Sequence, residues 1–155
     1  LMLRAIADAA RAEGEDLSDP QTALACLEVF ALGGRTQADD YLDSSYFAIR
    51  ALLAQSMTQA SRHIMSKGLT DGSSPVIVKL LSKIAARFGV VVSQKFAAQA
   101  IPVIGAVGGA AVNVAFLQHF EEIAKAHFAV RRLERVYGPE LVRSEYERLA
   151  AQPTG

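Results

Sequence analysis

Tryptophan is absent, a single cysteine stands at Cys26, and aromatic residues make up only 7% of the 155. One cysteine excludes an intrachain disulfide and leaves the redox compartment open. Flanked by Ala25 and Leu27, Cys26 reads as a small buried hydrophobe rather than a reactive thiol. So few rings argue against a β-sandwich, which needs aromatic and β-branched residues at period two. Net charge is zero, from 16 basic and 16 acidic residues, and no concentrated basic patch marks a nucleic-acid partner. Histidine occurs only at His63, His119 and His127, with no Glu-x-x-His or His-Glu-x-x-His spacing, so no metal site is expected. Gly105-x-x-Gly108-Gly109 is no phosphate loop, because no strand precedes it and no Lys-Ser/Thr follows. Neither a Ser-His-Asp nor a Cys-His arrangement can be argued from the spacings, and no cofactor and no catalytic residue is assigned.

What remains is a chain rich in Ala, Leu and Val, 51% hydrophobic, with a mean hydropathy of +0.21. Its length suits one domain with one core, taken as residues 1–155. The two halves differ in charge. Residues 1–75 carry six Lys/Arg and ten Asp/Glu, a net −4, and residues 76–155 carry ten and six, a net +4. Two helical layers that attract each other account for this, as does a mildly basic end facing anionic lipid.

Start and stop signals divide the chain into six helical segments. The first runs from Leu3 to about Glu13 and ends at Gly14. Ser18-Asp19-Pro20-Gln21 opens the second, with Ser18 as the cap, Pro20 in the first turn and Gln21 completing a capping box. It ends at Gly33-Gly34. The Tyr41–Tyr46 segment leads into a long helix from Ser44 to Lys67, stopped by Gly68. Thr70 to Pro75 is a turn, and a fourth helix runs from Val76 to about Ala100. Pro102 breaks or kinks the chain, a fifth helix covers Val103 to Tyr137, and a last one Glu140 to Ala151. The fold class is therefore all-α, a multi-helix bundle around a Gly/Ala-rich apolar helix.

Between Lys95 and His119 no residue is charged, and only Gln99, Asn113 and Gln118 are strongly polar. Phe96 to Leu117 spans about 33 Å as straight helix, enough to cross a bilayer core. Gly105 and Gly109 have the glycine-zipper spacing that brings helix backbones close. Weak transfer energy for Gly and Ala, the Pro102 interruption and the polar Gln99 and Asn113 favour a buried helix, with peripheral or reversible membrane insertion the second reading and a constitutive transmembrane helix the third.

Projected on a helical wheel, Gly105, Gly109, Asn113, Phe116, Phe120, Ala124, His127, Arg131 and Glu134 share a stripe about 100° wide. His127, Arg131 and Glu134 thus lie on the apolar side, where unpaired charge costs several kcal/mol. Pairing within the helix, His127 with Arg131 and Arg131 with Glu134, is one solution. Docking on the Ser44–Lys67 helix, where Tyr46 and Arg50 also stand four apart, is another. The cluster reads either as a structural network or as a polar pocket at the end of an apolar groove, suited to a lipid head group or a partner's carboxylate.

The run from Val92 through Lys95, Gln99, Pro102, Gly105, Gly109 and Asn113, continuing through His127 and Arg131 to Tyr137-Gly138, resembles the EcsC-like family, as does Tyr46-Phe47-Ala48-Ile49-Arg50. That family is named for a bacterial protein encoded beside an ABC transporter linked to secretion, and the resemblance carries no activity with it. It implies a helical, cytoplasmic protein, peripheral on the inner face of the membrane. It also implies that about a third of the domain, with further helices, precedes Leu1. The expected function is a non-enzymatic module associating with membrane, lipid or a membrane transport complex, with Lys95, Gln99, Asn113, His127, Arg131, Glu134, Tyr46 and Arg50 as its polar centre. A hydrolase using a His/Glu/Arg cluster and a structural or homo-oligomerising subunit are the alternatives.

Overall fold

A computed structural model describes residues 1–32, 44–68, 74–95 and 106–152. Six helices make up these residues: α1 Met2–Ala12, α2 Pro20–Leu32, α3 Ser44–Lys67, α4 Pro75–Lys95, α5 Ala106–Tyr137 and α6 Pro139–Ala150. No strand occurs among the described residues, and the all-α bundle expected from the sequence is what the chain forms. The Gly33-Gly34 stop, the Pro102 kink, Gln99 and Gly105 lie outside the described residues.

The helix ends follow local chemistry. At Gly14, with φ 81°, the chain leaves α1 through a Schellman motif: Gly14 N–H donates to the Arg11 carbonyl and Glu15 N–H to the Ala10 carbonyl, each at 3.1 Å. Gly68 and Gly138, which follow α3 and α5, also take positive φ. Asp19, not Ser18, caps α2. Its Oδ1 accepts from Gln21 N–H at 2.9 Å, whereas the Ser18 hydroxyl turns back to Asp16 Oδ1 at 2.6 Å. Pro20 then fills the first helical position, where no amide is needed. The expected capping box gives way because Asp19 directly precedes the proline and reaches the second turn position itself.

α2 is apolar nearly all round and packs on both sides. Its Ala25, Cys26 and Val29 meet Ile6, Ala9 and Ala10 of α1 and Phe120, Ala124 and Phe128 of α5. Its Leu24, Ala31 and Leu32 meet Ile49, Leu53 and Ala60 of α3 and Leu80 and Ile84 of α4. Phe30 bridges the two cores, edge-on to Phe88 with ring centroids 5.6 Å apart and 5.4 Å from Phe120. Two layers thus form, α1 with α5 and α3 with α4, with α2 between them. α6 folds back on α5 over Gly138-Pro139 and places Tyr146 against Tyr46 and Phe47.

Candidate functional site

Two charged residues that the sequence reading passed over organise the polar centre. Glu28 is the only charged residue in α2 and is buried. Glu15 follows Gly14 and is turned inward by the Schellman motif, its side chain only 6% exposed. A lone carboxylate in the middle of Leu24–Leu32 was a legible signal, since burial of an unpaired ion is too costly to be accidental. Glu15 gave less warning, because its direction depends on the turn rather than on a helical period.

His127 is fully buried. Its Nδ1 lies 2.9 Å from the Tyr46 hydroxyl and its Nε2 3.4 Å from Glu28 Oε2. Burial pushes the His127 ring below its ordinary pKa, against the pull of the Glu28 carboxylate. Burial also raises the Tyr46 phenol, so its proton stays on. With a neutral ring, Tyr46 donates to Nδ1 and Nε2–H faces Glu28 at a distance and angle short of a formed hydrogen bond.

Arg50 donates to both Glu134 oxygens, at 2.8 and 2.9 Å, in a fork-to-fork pair. Burial lowers the Arg50 pKa and the Glu134 bond outweighs it, so the guanidinium is held charged. Arg131 donates through Nε to Glu15 Oε1 at 2.8 Å and through Nη2 to Glu15 Oε2 at 3.3 Å. Arg135 bonds the same carboxylate, and Thr22 Oγ1 donates to it at 2.9 Å. Burial raises the Glu15 carboxyl, but these bonds, led by Arg131, bring it down to about 2.

The structure therefore brings together Tyr46, Arg50, His127, Arg131 and Glu134. It does so across helices rather than along α5: of the two expected solutions, docking on the Ser44–Lys67 helix is the one formed, with Tyr46 on His127 and Arg50 on Glu134, while Arg131 pairs with Glu15 and neither intrahelical pair forms. The reason is reach, because these side chains point inward at α1–α2 and α3, where fully formed carboxylate and guanidinium partners wait. Asn113 does not join them. It is exposed, 14 residues or about 21 Å up the helix from His127, where the 32-residue α5 outruns its 11-residue partner α1. Lys95 is the last residue of α4, and Gly109 lies in the first turn of α5; the surroundings of both residues, like Gln99, Pro102 and Gly105, fall outside what the structure describes. Among the described residues no group of three or more His, Cys, Asp or Glu gathers as a metal site, and no helix is long and apolar enough to cross a membrane.

Beside this network a cleft of about 460 Å³ opens between α2, α3, the end of α5 and the start of α6. Leu24, Phe47, Ala51, Ala54 and Met57 form its apolar wall. Small residues on α3 (Ala51, Ala54, Thr58, Ser61) make the room. Glu28, Arg50, Arg131 and Glu134 form its charged end, with Glu140 and Arg143 of α6 nearby. Neither His127 nor Tyr46 lines it.

Residues 1–133, which include every member of the network except Glu134 and Arg135, match the model of the EcsC protein family. The chain belongs to the EcsC protein family. No curated protein and no solved structure matches it. For this EcsC chain the site is thus read from its own geometry: an open cleft in which an apolar wall stands beside balanced, interlocked charges.

Proposed function

We propose that the chain is a non-enzymatic helical module that associates with lipid, holding the tail of an amphipathic molecule in the α2–α3 groove with its polar head against Arg50 and Arg131. The observation that carries the reading is the division of the groove into an apolar wall and a charged end. Its volume, about 460 Å³, falls in the range of small-molecule sites, roughly 300–1,000 Å³. Each guanidinium has five N–H donors and gives two to its carboxylate, so donors remain for a head group. The neighbouring Glu28 and Glu134 keep the end neutral in sum, which suits a zwitterionic or weakly polar head better than a multivalent anion. Work at the inner face of the cell membrane, alone or beside a transport complex, is the setting in which such a ligand is met.

A hydrolase would need His127 within reach of a substrate. The groove supports binding instead, because the ring is buried behind the network and both its nitrogens face protein groups.

The test is a titration with a dansyl-labelled fatty acid below its micellar concentration. Saturable one-to-one binding is expected, displaced by an unlabelled single-chain lipid. Ala54→Trp, which fills the groove from an exposed helix position, should remove it while leaving the helical circular dichroism spectrum intact. Equal binding by the two proteins would place the probe elsewhere and sink the reading.

A further inference from the structure

Glu28 stands in the middle of α2, lines the cleft, and has a side chain only 6% exposed. No described residue donates a formed hydrogen bond to its carboxylate. His127 Nε2, 3.4 Å from Oε2, is itself without a hydrogen-bond partner. Burial holds that ring below its ordinary pKa, so at neutral pH it brings no charge to Glu28. The arginines at the same end of the cleft are committed elsewhere. Arg50 gives both terminal nitrogens to Glu134, and Arg131 gives Nε and Nη2 to Glu15. Each cation thus has a carboxylate of its own, and Glu28 is the anion left over. A carboxylate taken this far out of water is costly until donors or a cation compensate it.

Given the lipid reading of the groove, on which this rests, we propose that Glu28 receives a primary ammonium carried by the ligand's head group. The preferred ligand is then a single-chain lipid whose head joins an anion to a primary ammonium. Such a group brings three N–H donors and a positive charge to a carboxylate that lacks both. Arg50 and Arg131 keep unused N–H donors for the anion beside it. A trimethylammonium has no N–H to give and is held instead by aromatic faces. The aromatic ring of the cleft wall, Phe47, already carries two cations, the guanidinium carbons of Arg50 and Arg143 standing 5.8 and 5.6 Å from its centroid. A choline head therefore loses the hydrogen bonds at Glu28 and finds no aromatic cage in exchange among the described residues.

Lysophosphatidylethanolamine and lysophosphatidylcholine with the same dodecanoyl tail differ only in methylation of the nitrogen. Calorimetric titration of the wild-type chain below their micellar concentrations should find the ethanolamine lipid about tenfold tighter, a hydrogen bond between charged groups. The N-monomethyl lipid should fall between them. Glu28→Gln keeps the size and removes the charge, and should abolish the preference by weakening the ethanolamine lipid alone. The wild-type methylation series decides the matter even if Glu28→Gln fails to fold. Equal wild-type affinities, or a preference that survives Glu28→Gln, would overturn the proposal and leave the groove reading standing. No binding of either lipid would overturn both. Phosphoethanolamine, a head group without a tail, binding as tightly as the lysolipid would keep the ammonium at Glu28 and take the tail out of the groove.

Discussion

Arg131 and Arg132 are neighbours in sequence with different surroundings. Arg131 is 22% exposed and holds a carboxylate that is itself 6% exposed, whereas Arg132 is 51% exposed and pairs with the more open Glu13. Removing one partner of a buried pair strands the other charge, at about 3–5 kcal/mol. Arg135 and Thr22 also bond Glu15 and soften the loss. Arg131→Ala should therefore destabilise by roughly 2–3 kcal/mol, and Arg132→Ala by under about 1 kcal/mol; urea denaturation of the two variants decides it. The pH dependence follows from the same groups. Glu15 has a folded pKa of about 2 against 4.5 ordinarily. Its contribution is complete above pH 4.5 and disappears as pH falls toward 2. His127 is depressed below its ordinary 6.5. Between those values the unfolded chain takes up a proton that the folded chain refuses, so stability falls as pH drops below 6.5. Thermal melts should show this acid-side decline beginning before the carboxylates titrate, and His127→Gln should flatten it.

At the scale of helices, the ends were the most legible part of the sequence. Gly14 and Gly68 are legible as stops and take positive φ, as does Gly138, which directly follows the expected helix end at Tyr137. Where two oxygen side chains competed for one cap, the pattern alone chose Ser18, because a Ser–Gln pair fits a capping box; the Asp16 turn that occupies Ser18 is a matter of geometry. Asp19→Ala should cost about 1 kcal/mol through loss of the α2 cap, while Ser18→Ala should change stability much less. Gly14→Ala should cost roughly 1–2 kcal/mol of left-handed strain. A Cβ there meets nothing closer than Arg135 Nη2 at 3.9 Å, so crowding adds little. Comparable midpoints for Asp19→Ala and Ser18→Ala in denaturant titrations would restore Ser18 as the cap.

Across the whole molecule, the charge asymmetry between halves was visible in composition, and the structure gives it a place. Glu13, Glu15 and Glu28 of the acidic half face Arg132, Arg131, Arg135 and His127 of the basic half. Arg50 with Glu134 runs the other way. The wheel placed His127, Arg131 and Glu134 on one inward stripe because a helix fixes relative azimuth. It could not choose their partners, which come from turns and from helices distant in sequence. For the same reason the groove was expressed only as a polar end to an apolar groove. Its walls come from three-residue and four-residue steps of Ala and Thr on α3 that look like ordinary surface until α2 stands beside them.

The central claim is that this groove holds the tail of one amphipathic molecule. Native mass spectrometry of the chain mixed with a lysophosphatidylcholine below its micellar concentration tests that most directly. One adduct per chain is expected at low collision energy, lost in Ala54→Trp and retained in Arg132→Ala. A ladder of non-stoichiometric adducts in all three proteins, or none in any, would contradict it.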